Sequence, residues 1–206
     1  YGDLDIEGEP DVRVVADAAE AEAETGLEVP VVDELPRGVS GEPTYRAGRE
    51  VVATFTYDAD RAGDDSAPPG VDGSSIRLVA GPGVAAAWRA SSGAPAMIVG
   101  RAIAPSAEST SGVPFEVLRD HLLALPAVPD DVAASLRTFN DSTLPLPVPE
   151  DRFRTSSADV GGATATVVES IDRTIAAVVW VHEGIAHVVA GSLDVDEVLD
   201  VARGLR

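Results

Sequence analysis

Apolar and polar positions along the chain repeat with two different periods. From Glu50 to Tyr57 the residues Val51, Ala53, Phe55 and Tyr57 alternate with Thr54 and Thr56, the period-two signature of a half-buried strand. Ser75–Ala80 and Ala96–Ala104 read as further strands, and Val12–Ala16 as a short one. Val84–Arg89 fits a strand or a helix. The firmest pattern is at the end of the chain. Thr174–Val181 and Ala186–Ala190 are apolar on both faces, which predicts a central hairpin covered on two sides. His182-Glu183-Gly184-Ile185 between them suits a tight turn, with Gly184 supplying a positive φ. A two-residue loop places His182 opposite Ile185 and Trp180 opposite His187.

Helical spacing follows. Asp194 with Glu197 forms a capping box. Leu193 and Val198 stand where a hydrophobic staple would, and Val195, Val198, Leu199 and Ala202 fall on one face. Gly204 is the expected stop. Asp17 and Glu20 repeat the capping pattern for a helix that ends at Gly26. Tyr1–Pro10 reads as a loosely held acidic lead-in, and Pro30–Pro43 as an extended connection. Between residues 105 and 149 the pattern changes. Pro114 suits a first helical position; Phe115, Leu118, Leu122 and Leu125 follow at near-helical spacing. Pro129-Asp130-Asp131 starts a second helix with the stripe Val132, Leu136 and Phe139. The run Leu144–Pro149 is expected to be polyproline II. A helical hairpin is thus inserted between two groups of strands.

Charge narrows the function classes. The chain carries 35 Asp and Glu against 15 basic residues, a net charge of −20, and every basic residue is Arg. Such a chain repels phosphate backbones and anionic membrane surfaces, so nucleic acid is not an expected partner. The Lys-free composition fits a GC-rich bacterial source, and a salt-adapted one equally. There is no cysteine, hence no disulfide, thiolate zinc site or thiol nucleophile. No apolar run approaches the roughly 20 residues that span a bilayer. The chain opens at Tyr1 without Met, as expected of a piece trimmed of a signal or anchor.

Four groups of residues invite a chemical reading. Gly81-x-Gly83-x-x-Ala86 follows a strand, but Pro82 has no amide for a phosphate and no acid follows about 20 residues on; a turn between strands explains it better. Asp58, Asp60, Asp64, Asp65 and Asp72 share one loop, yet the spacing is not that of an EF-hand, and a solvated, mobile acidic loop is expected. His182, Glu183 and His187 have a spacing one residue too long for H-E-x-x-H and lie on a hairpin. His121 has no partner that the sequence can name. There is no G-x-S-x-G elbow, and the lack of Lys excludes S-x-x-K and P-loop motifs. No catalytic residue, metal ligand or cofactor is assigned.

Trp180, Gly184, Gly191, Leu193, Leu199, Ala202 and Leu205, with Ala23–Pro30 and Leu35–Val39 upstream, resemble the closing and opening motifs of a bacterial extracytoplasmic domain family of largely unassigned function. Its members are similar to the C-terminal domains of anti-sigma-factor-like and lipoprotein-carrier-like envelope proteins, and an actinobacterial source is expected. The matching residues are fold residues, so the resemblance implies a fold and a location and carries over no active site. The expected fold is α+β: an antiparallel sheet with helices packed on one face, N- and C-terminal helices adjacent, and an inserted helical hairpin at 106–149. Residues 11–206 form a single domain in this reading, after the 1–10 lead-in. The expected role is a non-enzymatic extracytoplasmic binding or sensing domain, tethered by an N-terminal anchor outside this chain. Its partner is an apolar ligand or an envelope protein. An apolar cleft, if the hairpin does not simply complete the core, would be lined by Phe115, Leu118, Leu122, Leu136, Phe139 and Trp180. The alternatives are a metal-dependent hydrolase and a purely structural ectodomain without ligand.

Overall fold

The computed structural model describes residues 2–7, 11–65, 67–90, 92–125, 133, 137 and 151–206. Mostly antiparallel β-structure, in two sheets, is joined by four helices among the described residues. The strands are β1 (Gly2–Glu7), β2 (Val12–Val15), β3 (Thr44–Gly48), β4 (Val51–Tyr57), β5 (Ser75–Ala80), β6 (Gly83–Arg89), β7 (Pro95–Ile103), β8 (Ser106–Ser109), β9 (Phe153–Val160), β10 (Ala163–Ser170), β11 (Ala176–His182) and β12 (Ile185–Gly191). The helices are α1 (Ala18–Thr25), α2 (Ala59–Ala62), α3 (Phe115–Ala124) and α4 (Val195–Gly204). The larger sheet has the order β2-β3-β6-β7-β12-β11-β10-β9, the smaller one β1-β4-β5-β8.

Among the described residues the two sheets share three paths of chain: β3 runs on into β4, β5 into β6 and β7 into β8, so each path leaves one sheet and enters the other. Register survives the corner. Gly48 stands opposite Gly83 and Val51 opposite Ala80, three residues further on each path. Gly83 stands opposite Ala102 and Val79 opposite Ser106, four residues on each. The Ile103 amide donates to the Pro82 carbonyl at 2.9 Å inside the corner itself. Gly81-Pro82-Gly83 is therefore not a reversing turn: it bends an unbroken ladder, and Val84–Arg89 is a strand. Gly2–Glu7, read from sequence as a lead-in, pairs with β4 over its whole length. Its alternation of Asp3, Asp5 and Glu7 with Leu4 and Ile6 is an edge-strand pattern that the acidic composition masked.

The C-terminal segment follows its sequence pattern. His182 pairs with Ile185 and Trp180 with His187. Glu183 and Gly184 both take positive φ, 50° and 77°, as a two-residue turn of this hand requires. The adjoining hairpin β9–β10, absent from the sequence reading, turns at Gly161-Gly162, again with both φ positive; that Gly-Gly pair was its available signal. α4 carries a complete capping box, with the Glu197 amide donating to Asp194 Oδ1 at 2.8 Å and the Asp194 amide to Glu197 Oε2 at 3.1 Å.

Two cores result. In the first, Val84, Ala86, Trp88, Val99, Val178 and Val189 of the larger sheet pack with Ala21 of α1 and Val198, Leu199, Val201 and Ala202 of α4. In the second, Tyr57, Val71 and Ile76 pack with Leu118 and Leu122 of α3. On β11 the first core takes alternate residues. Trp180, Val178 and Ala176 of β11 are buried, whereas Ala177, Val179 and Val181 are half-exposed. The expectation that the β11–β12 hairpin is covered on two sides is corrected for the described residues: neighbouring strands flank it on both edges, and among those residues one face enters the core. At the β12–β7 seam Gly191 is required by space, since a Cβ there would lie 2.3 Å from the Ala96 carbonyl oxygen.

Candidate functional site

The acidic loop between β4 and β5 carries a hydrogen-bonded framework among its described residues, while Asp60 and Asp65 face solvent as its composition suggested. Asp58 caps α2, accepting from the Arg61 amide at 2.9 Å, and Asp72 accepts from the Ala59 amide at 2.9 Å. This architecture turns Asp64 inward. Its Oδ2 lies 2.8 Å from His121 Nε2 and accepts from the Tyr57 hydroxyl at 2.9 Å. The Asp64 and His121 side chains are only 6% and 12% exposed. His121 Nε2 is also 3.2 Å from the Tyr57 hydroxyl, and the two rings meet edge to face with centroids 5.3 Å apart. Burial first, then the hydrogen bond to Asp64, pushes the Tyr57 phenol up to about 12, so it stays a neutral donor. The partner of His121 that the sequence could not name is thus 57 positions away in the chain. The cluster ties strand β4, the acidic loop and helix α3 together. A general base must present a nitrogen to a substrate proton; Nε2 of His121 is directed at Asp64 instead.

The residues proposed from sequence for an apolar cleft are distributed over both cores. Leu118 and Leu122 are buried in the second core, and Phe115 packs against its edge beneath Arg119, whose guanidinium carbon is 5.9 Å from the ring centroid. Leu136, Phe139 and the Leu144–Pro149 run lie outside the described residues, as does Pro129–Val132 at the start of the second helix. Trp180 belongs to the first core, apart from the α3 residues. Its indole stacks on the His187 imidazole with centroids 4.9 Å apart and planes 9° from parallel. Burial, then Arg101 and His182, holds His187 down at about 4, so it is neutral near pH 7. His182 is exposed at the turn. Among the described residues no group of three His, Cys, Asp or Glu could hold a metal ion.

The remaining surface feature is the face of the larger sheet that is turned away from the first core. Its side chains are small and apolar: Ala87, Ile98, Ala190, Val188 and Val179 are half-exposed. At its β2 end, Val12 and Val14 are 60% and 59% exposed, and beside the start of β11 Ile175 is 48% exposed. Between them lies an open groove of about 570 Å³, floored by Thr44, Ala87, Ile98 and Ala190 and flanked by Arg46 and Arg89. Two further grooves lie against the other side of the fold. One, of about 460 Å³, contains Asp33, Glu34, Glu197 and Asp200; the other, of about 360 Å³, contains Asp33 and Glu42. The apolar groove escaped the sequence reading because its signal, a hairpin apolar on both faces, was assigned to burial on both. Neither family models, nor curated proteins, nor solved structures contain a match to this chain.

Proposed function

We propose that this chain is a non-enzymatic binding or sensing domain of a bacterial envelope protein, presented outside the cytoplasm, that takes an apolar ligand or an envelope partner on the bare face of its larger sheet. The observation that carries the reading is the exposed apolar groove around Val12, Val14 and Ile175. Contiguous exposed apolar surface on a protein this acidic marks an interaction site, because water penalises it and nothing in the described fold covers it. In this reading the helices form one layer: α1 and α4 lie side by side behind the sheet, and the α3 segment closes the second core. The opposite face is then left for recognition. Residues Phe115, Leu118 and Leu122 complete a core in this arrangement, and the ligand sits elsewhere.

Native mass spectrometry of protein purified from its own host, followed by organic extraction, tests the proposal. The expected result is a co-purifying apolar molecule, or a stoichiometric envelope partner, that is lost in Ile98→Asp while the thermal unfolding remains cooperative. Protein that is free of both, and whose interactions in the envelope are unchanged by Ile98→Asp, would refute it.

A further inference from the structure

We infer that the groove on the bare sheet face holds a single-chain amphiphile with an anionic head, a long-chain fatty acid, with Arg46 and Arg89 facing the carboxylate; this rests on the binding-domain reading above. Charge is the first argument. Fifteen residues line the groove, and among the described residues none of them is acidic. At the frequency of the whole chain, 35 acids in 206 residues, two or three would be expected. The two grooves described on the other side of the fold contain carboxylates. This groove instead contains two arginines. Arg46 projects from β3 beside Val14, and no carboxylate within ion-pair distance of it is present among the described residues. Arg89 at the end of β6 donates to the Gly93 carbonyl at 2.8 Å, which steadies its guanidinium while leaving further N–H donors for a ligand. An anion approaching a protein of net charge −20 is repelled everywhere the acids dominate. Here it meets two cations that have no carboxylate partner among the described residues and whose planar donors suit a carboxylate head.

Shape is the second argument. Successive paired residues place Thr44, Ala87, Ile98 and Ala190 in one row across β3, β6, β7 and β12, with β2 beyond. Five strands at a spacing of about 4.8 Å give a track roughly 19 Å long. That matches one extended acyl chain. The row is alanine, isoleucine and threonine methyl, so the track is shallow, smooth and apolar. Arg46 and Arg89 flank it on opposite sides, and their aliphatic stems extend the apolar wall while the charged heads reach solvent. The volume falls within the range of about 300–1,000 Å³ usual for small-ligand sites. Trp88 lines the same groove and supplies an optical reporter.

Hexadecanoate, hexadecanol and hexadecyltrimethylammonium are titrated below their micelle thresholds into the intact chain, with calorimetry and Trp88 fluorescence as readouts. The expected order is carboxylate tightest, by roughly tenfold or more over the alcohol, as a charge-assisted contact provides. The double change Arg46→Gln and Arg89→Gln should bring the carboxylate down to the level of the alcohol. Ala87→Trp, which fills the track, should abolish binding of both; Thr44→Trp is the second filler if the first does not fold by circular dichroism. Equal affinity for carboxylate and alcohol, or a double variant that still prefers the carboxylate, would overturn the anionic assignment and leave the apolar-ligand reading standing. Binding of none of the three probes would overturn the inference and the small-ligand form of that reading together.

Discussion

Asp64 shows how one residue's role is set by its surroundings. In sequence it is one of five aspartates in a loop. In the fold it is a buried carboxylate shared by Tyr57 and His121. Removing one member of a buried pair strands the other, typically at about 3–5 kcal/mol. His121→Ala should therefore lower the urea midpoint by an amount of that order, with His121→Gln, which can still donate, losing less. An unchanged midpoint for the alanine variant would show that Asp64 is satisfied without the imidazole. Tyr57 makes a second prediction with a definite sign. Its phenol is held at about 12 in the fold, against about 10 in the unfolded chain. Between these values the unfolded chain ionises first, so stability is fully present below pH 10 and falls as pH rises towards 12. Chemical denaturation at pH 9 and pH 11.5 should show this fall in the parent and a smaller one in Tyr57→Phe; equal slopes would place the alkaline loss elsewhere.

Elements differ in how far they announced themselves. α4 was legible because cap, staple and apolar stripe are all local and agree. Leu199 is buried among strands β11, β12 and its own helix neighbours. Leu199→Ala should cost about 2–5 kcal/mol, read as a shift in the denaturation midpoint at constant slope; no shift would mean that α4 is not docked. The β11–β12 hairpin was legible in register and turn for the same local reason. The β1 strand and the β9–β10 hairpin were not. Both faces of β1 are exposed, Leu4 and Ile6 included, and β9 is largely polar; these segments become strands by pairing, β1 with β4 and the β9–β10 hairpin with β11. Pairing partners far along the chain leave no period in the sequence.

Across the whole molecule, charge and topology act at long range. With 35 acids and 15 arginines, self-repulsion opposes the compact state, and described arginine–carboxylate pairs such as Arg206 with Asp33 and Arg13 with Glu24 are surface contacts. Such pairs add little individually, while repulsion among many acids is summed over the surface and screened by salt. Raising NaCl from millimolar towards molar should raise the melting temperature in scanning calorimetry. A melting temperature that falls with salt would mean that attractive pairs outweigh the net charge.

By itself the sequence determined what is local or compositional: the capped helices α1 and α4, the strands that alternate, the tight turn at Glu183-Gly184, and a strongly acidic charge balance. Caps, turns and alternation depend on neighbours within a few residues, and composition is independent of fold. Tertiary structure alone decided the rest. It carried chain paths from one sheet into the other, one of them bending at Gly81-Pro82-Gly83, brought His121 to Asp64 and Tyr57, and among the described residues covered one face of an apolar hairpin instead of two. Hydrophobic periodicity states that a face is apolar; only the packing of the other elements states whether protein covers it, or whether it is left, with Arg46 and Arg89 beside it, for something else.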